Sequence, residues 1–103
     1  MAITRKFLDL SSNHLTREDQ EFLHTASLRE TGNPIIPCAE TATGWFMYAD
    51  EAAEIQLTKV PHRICIIMLH SRKHGCDYVL FDENGPEDPD LRIYNPQVFE
   101  PPG

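Results

Sequence analysis

One uninterrupted segment, "VPHRICIIMLHSRKHGCDYVLF" at residues 60–81, limits the possible folds more than any other part of the chain. Pro61 suits the first turn of a helix, and Gly75 suits the left-handed residue that ends one. The isoleucines favour strand structure, so a hairpin of strands is the alternative. The length of the segment and its two ends favour a helix over residues 62–74. The alternating large residues of "CDYVLF" at residues 76–81 predict a strand directly after it.

The predicted second helix has one buried face. Helical spacing directs five of its side chains toward a core: Ile64, Cys65, Ile67, Met68 and Ser71. Four polar side chains are expected to lean toward water: Arg63, His70, Lys73 and His74. The basic residues near its end complement the negative end of the helix dipole, and this supports the helix over the hairpin.

The first third of the chain predicts a strand followed by a helix. "RKFLDL" at residues 5–10 alternates weakly, as a first strand would. Thr16 and Asp19 have the spacing of a capping box, in which side chains accept hydrogen bonds from free backbone amides at a helix start. Apolar residues recur at helical spacing over residues 17–28, and the turn-forming residues 32–34 end that helix.

The middle of the chain predicts extended structure. "IIPC" at residues 35–38 is expected to be extended, because its proline restricts the residue before it. "GWFMYA" at residues 44–49 predicts a strand with Trp45 on one face and Tyr48 on the other. Both faces of that strand are therefore expected to be covered at least in part. Residues 50–59 carry no clear pattern.

An acidic stretch, "DENGPEDPD" at residues 82–90, follows the last clear strand. Its five carboxylates belong to Asp82, Glu83, Glu87, Asp88 and Asp90. The asparagine, glycine and prolines between them are turn residues. "LRIYN" at residues 91–95 has the composition of a short strand, so the acidic residues are predicted to decorate a hairpin loop. The proline-rich residues 96–103 are predicted to form an extended or disordered tail.

Together these segments predict a single α+β domain over residues 1–103. The expected architecture is a two-layer sandwich of about four strands with two helices on one face, in the order β-α-β-α-β-β. A chain of 103 residues has room for one core and not for two.

The charge balance bears on the kind of partner. A net charge of −7 argues against direct binding of nucleic acid or an anionic membrane, since both are bound through clustered lysines and arginines. A protein partner with a basic surface fits better. The same charge is also compatible with a role in solubility alone.

The cysteines and the N-terminus predict a reduced, cytoplasmic protein. Cys38, Cys65 and Cys76 form an odd set without CxxC spacing, so neither a disulfide framework nor a zinc knuckle is indicated. Cys65 and Cys76 each flank apolar residues and are expected to be buried, inert thiols. "MAITRKFLDL" lacks the apolar run of a signal peptide, and no stretch has the length of a membrane span.

Three residues outside the acidic stretch are candidate binding residues. His14 lies in "SSNHLT" between the first strand and the first helix, where α/β proteins often bind ligands, and an acid/base role is conceivable there. A structural histidine that bonds a backbone carbonyl is the simpler interpretation. Trp45 and Tyr48 complete a possible second binding surface. No catalytic residue is assigned, because the chain contains no nucleophile elbow, phosphate loop or paired catalytic carboxylates.

No metal or other cofactor is predicted. His70 and His74 have a spacing known from metal sites, but the sequence offers no third ligand beside them, and neighbouring basic residues disfavour a cation. The acidic stretch departs from the calcium-loop template, which needs its glycine at position six. Gly85 stands at position four instead. We therefore expect no stoichiometric transition metal.

Three short elements resemble a small uncharacterised bacterial family, a domain of unknown function: "LDLSSNHLT", "GWFMYA" and "HGCDYVLFDENGP" followed by "LRIY". The resemblance touches most of the chain and supports the helix at residues 61–75. It implies an accessory role on plasmids, integrative elements and phages, and it supplies no catalytic residues. The chain departs from the family at its end, where "NPQVFEPPG" continues beyond the last tyrosine.

From these features the sequence predicts a non-enzymatic acidic binding protein of a mobile genetic element. Its target would be a basic protein surface, such as that of a host nuclease or a DNA-binding defence protein. One alternative is a small metal-dependent or acid/base enzyme centred on His14. Another is a homodimeric structural module.

Overall fold

The computed structural model describes residues 1–28, 36–49 and 60–94. In chain order the elements are β1 (Phe7–Ser11), a 3-10 turn (Ser12–His14), α1 (Arg17–Leu28), β2 (Cys38–Glu40), β3 (Gly44–Tyr48), α2 (His62–Lys73) and β4 (Tyr78–Asp82). Three parts of the sequence prediction lie outside the described residues: the end of the first helix within residues 29–34, the segment 50–59 and the tail at residues 96–103.

The four strands form one mixed sheet in the order β1-β4-β3-β2. β4 is parallel to β1 and antiparallel to β3, and β2 is antiparallel to β3. A parallel pair needs a long connection between its strands, and here both helices and two strands lie between β1 and β4. The predicted α+β fold with two helices is confirmed.

The strand register puts the apolar residues of three strands on one face of the sheet. Leu10, Phe81 and Trp45 are aligned across β1, β4 and β3. Val79 and Met47 form the neighbouring aligned pair in β4 and β3. All five are buried in one cluster that also contains the buried apolar side chains of both helices, Leu23 of α1 and Ile64, Cys65, Ile67 and Met68 of α2. The helices therefore cover this face of the sheet as one layer.

Both predicted helices are confirmed. α1 begins with the predicted capping box: the Thr16 backbone N–H donates to the Asp19 carboxylate at 2.9 Å, and the Asp19 N–H donates to the Thr16 hydroxyl at 3.2 Å. The five predicted inward residues of α2 are all buried. Gly75 follows α2 with a φ of +74°, the left-handed conformation that its sequence position indicates.

The predicted strand at residues 91–95 is wrong, and the acidic stretch is not a hairpin loop. Residues 91–94 are described and contain no strand. β4 already has β1 on one side and β3 on the other, so a hairpin partner would have to displace one of them. The fourth strand is β2, of which the sequence predicted only the first residue, Cys38, as extended chain.

The second face of the sheet carries half-buried or exposed aromatic side chains. The ring of Phe46 stacks on that of Tyr78 with centroids 5.1 Å apart, while Phe7 and Tyr48 make edge contacts to this pair. The aromatic rings thus shield one another although no helix covers them within the described residues.

None of the helices in the described part of the chain is long and apolar enough to cross a membrane.

Candidate functional site

The acidic segment, residues 82–90, folds over the end of β1. The Ser11 N–H donates to the Pro86 carbonyl at 2.7 Å, and the Glu83 N–H donates to the Thr43 carbonyl at 3.0 Å. A Cβ at Gly85 would lie 2.6 Å from the Leu10 carbonyl oxygen, so the close approach of the two backbones requires glycine there. These contacts fix the start of the segment against the sheet.

His14 holds the second half of the acidic segment. Its ring is 1% exposed, with Nδ1 at 2.9 Å from the Arg92 carbonyl oxygen and Nε2 at 2.8 Å from the Asp88 backbone nitrogen. A carbonyl can only accept and an N–H can only donate, so Nδ1 carries the proton and Nε2 accepts. Both ring nitrogens are therefore engaged, and His14 acts as a clamp between β1 and the segment that follows β4.

The chain continues this attachment beyond His14. The Tyr94 N–H donates to the Asn13 carbonyl at 2.8 Å, and the Asn13 side-chain amide donates to Glu87 at 3.3 Å. The 3-10 turn thus makes backbone or side-chain bonds to four positions between residues 87 and 94. The acidic residues were predicted to lie on a free hairpin loop. In the structure they lie on a segment that hydrogen bonds to β1 and to the 3-10 turn hold in place along its length.

Asp88 links the acidic segment to α2. Its Oδ2 lies 2.9 Å from His70 Nε2, and its Oδ1 accepts the Asp90 backbone N–H at 2.9 Å. The Asp90 N–H, followed by the hydrogen bond to His70, lowers the pKa of the Asp88 carboxyl below its ordinary value. His70 was predicted to lean toward water, whereas its side chain is only 12% exposed and faces Asp88.

This environment predicts that Asp88→Asn removes part of the acid sensitivity of the fold. A carboxyl with a lowered folded pKa contributes stability above its ordinary pKa of about 4, and the contribution is lost as the pH falls through the folded pKa. The unfolding free energy of the wild type should therefore exceed that of Asp88→Asn at pH 7, and the difference should shrink below about pH 4. Denaturant titrations across this range measure it. An equal difference at pH 3 and pH 7 would contradict the role of the charge.

Three carboxylates of the acidic segment face solvent. Glu83, Glu87 and Asp90 are exposed, and within the described ranges none of them forms an ion pair with a lysine or arginine. Asp82 is half-buried and accepts the Asn84 N–H at 2.9 Å. The segment therefore presents negative charge that no cation of the described chain neutralises directly.

The other predicted binding residues do not join this surface. Trp45 lies in the core at 5% exposure. Gly44 at the start of β3 pairs with Asp82, so Tyr48 at the other end of β3 lies away from the acidic segment. Arg72 of α2 stacks over the Tyr48 ring. Sequence reasoning singled out His14 and the acidic stretch separately, but it missed that the first holds the second. Residues 74 apart along the chain gave no local signal of this contact.

Two of the three cysteines have thiols with a raised pKa. All three are free and buried, as was predicted for Cys65 and Cys76. Burial, with a smaller contribution from Glu40, raises the pKa of the Cys38 thiol to about 12, and burial also raises the pKa of Cys65. A thiol with a raised pKa carries little thiolate at neutral pH and is a poor nucleophile.

Most of the chain matches a known family model. Residues 7–96 match the model of a family described as "Family of unknown function (DUF5983) C-terminal domain". The matched range includes every strand and helix of the described structure and the whole acidic segment. No curated protein and no solved structure matches significantly.

Proposed function

The chain belongs to the DUF5983 family of unknown function, and we propose that it is a non-enzymatic binding protein whose acidic segment docks on a basic protein surface. The observation that carries the proposal is that the exposed carboxylates lie on a backbone segment fixed by hydrogen bonds. Glu83, Glu87 and Asp90 face solvent from a backbone that Ser11 and His14 hold in place.

A held segment is better suited to docking than a mobile loop. A loop that becomes ordered on binding loses conformational entropy, which subtracts from its affinity, whereas a segment fixed beforehand avoids most of that cost. Exposed charges of one sign also steer an oppositely charged partner during approach. The net charge of −7 gives the whole molecule the same sign as the segment, so the long-range and local fields act together.

The class of partner follows from the chemistry of the surface. Carboxylates spaced along a narrow segment resemble the phosphates of a nucleic-acid backbone in charge, so the basic surface of a nuclease or DNA-binding protein is the fitting target. The proposal includes the setting that the sequence resemblance implies: a cytoplasmic protein of a plasmid, integrative element or phage that inhibits a host defence protein of this kind.

The alternative of an acid/base enzyme centred on His14 finds no support in the geometry. Its ring is buried, and both nitrogens bond to backbone groups of the same chain. A substrate could reach the ring only by displacing the segment that the ring holds.

We expect replacement of the three exposed carboxylates to abolish docking while the fold remains intact. The test variant is Glu83→Gln, Glu87→Gln and Asp90→Asn together. Exposed side chains away from packing contacts change stability by about 0.5 kcal/mol or less each. Immobilised wild type and variant are incubated with bacterial lysate, and retained proteins are quantified by mass spectrometry. The wild type should retain basic nucleic-acid-binding proteins that the variant loses, and added duplex DNA should compete for them.

A matched control separates local from total charge. Glu18→Gln, Glu21→Gln and Glu40→Gln together change the net charge by the same amount at exposed positions outside the acidic segment. Each of these glutamates is exposed where it pairs with Arg63, Arg17 or His24, and ion pairs of exposed carboxylates contribute little to stability. The control should retain the same proteins as the wild type. Equal loss in the control and the test variant, or retention by both, contradicts docking through the acidic segment.

A further inference from the structure

We propose that His70, Asp88 and Asp90 form a binding site for a divalent first-row transition-metal ion such as Zn²⁺. Each residue offers one ligand atom, and these atoms lie within 4.8 Å of one another. The imidazole comes from α2 and the two carboxylates come from the segment after β4, so the site exists only in the folded chain. This inference goes beyond the proposed function and does not depend on it.

The donor set differs from an ordinary acidic surface because it includes a histidine nitrogen. Imidazole together with carboxylates suits zinc and its neighbours, while calcium and magnesium prefer oxygen donors alone. Zinc bonds to histidine and carboxylate are about 2.0–2.2 Å long, which puts ligand atoms about 3–4 Å apart. The His70 Nε2 and Asp88 Oδ2 atoms are 2.9 Å apart, so small side-chain rotations bring the three donors to this geometry.

The surrounding contacts hold the donors in position. His14 fixes the Asp88 backbone through its N–H, and the Asp90 N–H fixes the second oxygen of Asp88. With Oδ1 of Asp88 held by the Asp90 N–H, Oδ2 is directed at His70.

The third donor gives the site an open side. Asp90 is exposed, and its carboxylate is free to turn toward an ion from the solvent side. Three protein ligands with a remaining position for water are the arrangement of zinc sites that bind or activate a further ligand. The sequence led us to expect no metal, since no third ligand stands near His70 and His74 along the chain. The fold supplies two carboxylates from residues 88–90 instead.

Zinc titration of tag-free protein tests the site. Isothermal titration calorimetry with Zn²⁺ alone is expected to show one saturable site per chain in the wild type. Asp90→Asn and His70→Gln should each weaken zinc binding by at least about 10-fold, the scale at which even supporting contacts of metal sites act. Mg²⁺ should bind at least about 10-fold more weakly than Zn²⁺. Circular dichroism of Asp90→Asn should match the wild type, because no described fold contact uses its side chain.

Two control variants distinguish this site from adventitious binding. Glu83→Gln removes another carboxylate of the acidic segment, and His74→Ala removes the imidazole whose ring centroid lies 4.4 Å from that of His70. Both should bind zinc within about 2-fold of the wild type. The proposal is overturned if wild type shows no saturable 1:1 binding, if Asp90→Asn binds as tightly as wild type, or if His74→Ala weakens binding as much as His70→Gln does.

Discussion

Ile67→Ala is expected to lower the free energy of unfolding by about 2–5 kcal/mol. Ile67 is 3% exposed on the face of α2 that packs against the sheet. Removing three carbon atoms there loses their transfer from water and leaves a cavity that the surrounding side chains fill only partly. Denaturant titration followed by circular dichroism measures the change, with an unaltered slope against denaturant concentration indicating that the unfolded state is unchanged.

The neighbouring residue provides the control for this experiment. Ile66 precedes Ile67 and is 44% exposed, so Ile66→Ala makes the same chemical change with the same effect on helix propensity. Its cost should be about 1 kcal/mol or less. Because a strand would also direct adjacent residues to opposite faces, the helix needs a second comparison. Met68 is buried next to Ile67, and Met68→Ala should also cost about 2–5 kcal/mol. A small loss at Met68 with a large one at Ile67 would favour the strand alternative.

His14→Ala is expected to destabilise the fold by about 2–5 kcal/mol. The substitution removes a side chain that is 1% exposed, and it leaves the Asp88 N–H and the Arg92 carbonyl without their partner in partly buried surroundings. A large buried side chain cut back to alanine costs about 2–5 kcal/mol, and a buried polar group left unpaired costs about 1–3 kcal/mol. Thermal and denaturant unfolding measure the loss. Amide hydrogen exchange should also show faster exchange at Asp88 and Tyr94, because the clamp on the acidic segment is gone.

A second histidine distinguishes a structural clamp from a general effect of removing imidazole. His74 is exposed after the end of α2, and His74→Ala should change the unfolding free energy by about 0.5 kcal/mol or less. If His14→Ala were as stable as His74→Ala, the clamp would contribute nothing, and an exposed or functional role for His14 would regain support.

The elements predicted from local signals match the structure most closely. α1 was recognised from its capping box and α2 from its ends and its buried face, and each of these signals lies within a few residues. The cap bonds at Thr16 and Asp19 and the left-handed Gly75 are the same contacts that the spacing indicates. Capping hydrogen bonds and helical periodicity depend on residues close together along the chain, so a single sequence is enough to predict them.

The arrangement after β4 could not be predicted in the same way. The composition of residues 91–94 is compatible with a strand, but a hairpin with β4 needs a free edge on β4, and β1 and β3 occupy both of its edges. The pairing of β1 with β4 joins residues about 70 apart, and nothing near either strand specifies it. The contact between His14 and Asp88 could not be predicted for the same reason, because the two residues are 74 positions apart along the chain. The candidate site was therefore predicted as separate residues and not as one structure.

Docking through the acidic segment is tested most directly by the association rate constant between this protein and the basic protein it captures, measured at several ionic strengths. Attraction between opposite charges is screened over about 8–10 Å near physiological salt. The rate constant of the wild type should therefore fall steeply as salt rises, and Glu83→Gln, Glu87→Gln and Asp90→Asn together should flatten that dependence. The Glu18, Glu21 and Glu40 control should keep most of it. Identical salt dependence in wild type and the acidic-segment variant would contradict docking through these carboxylates.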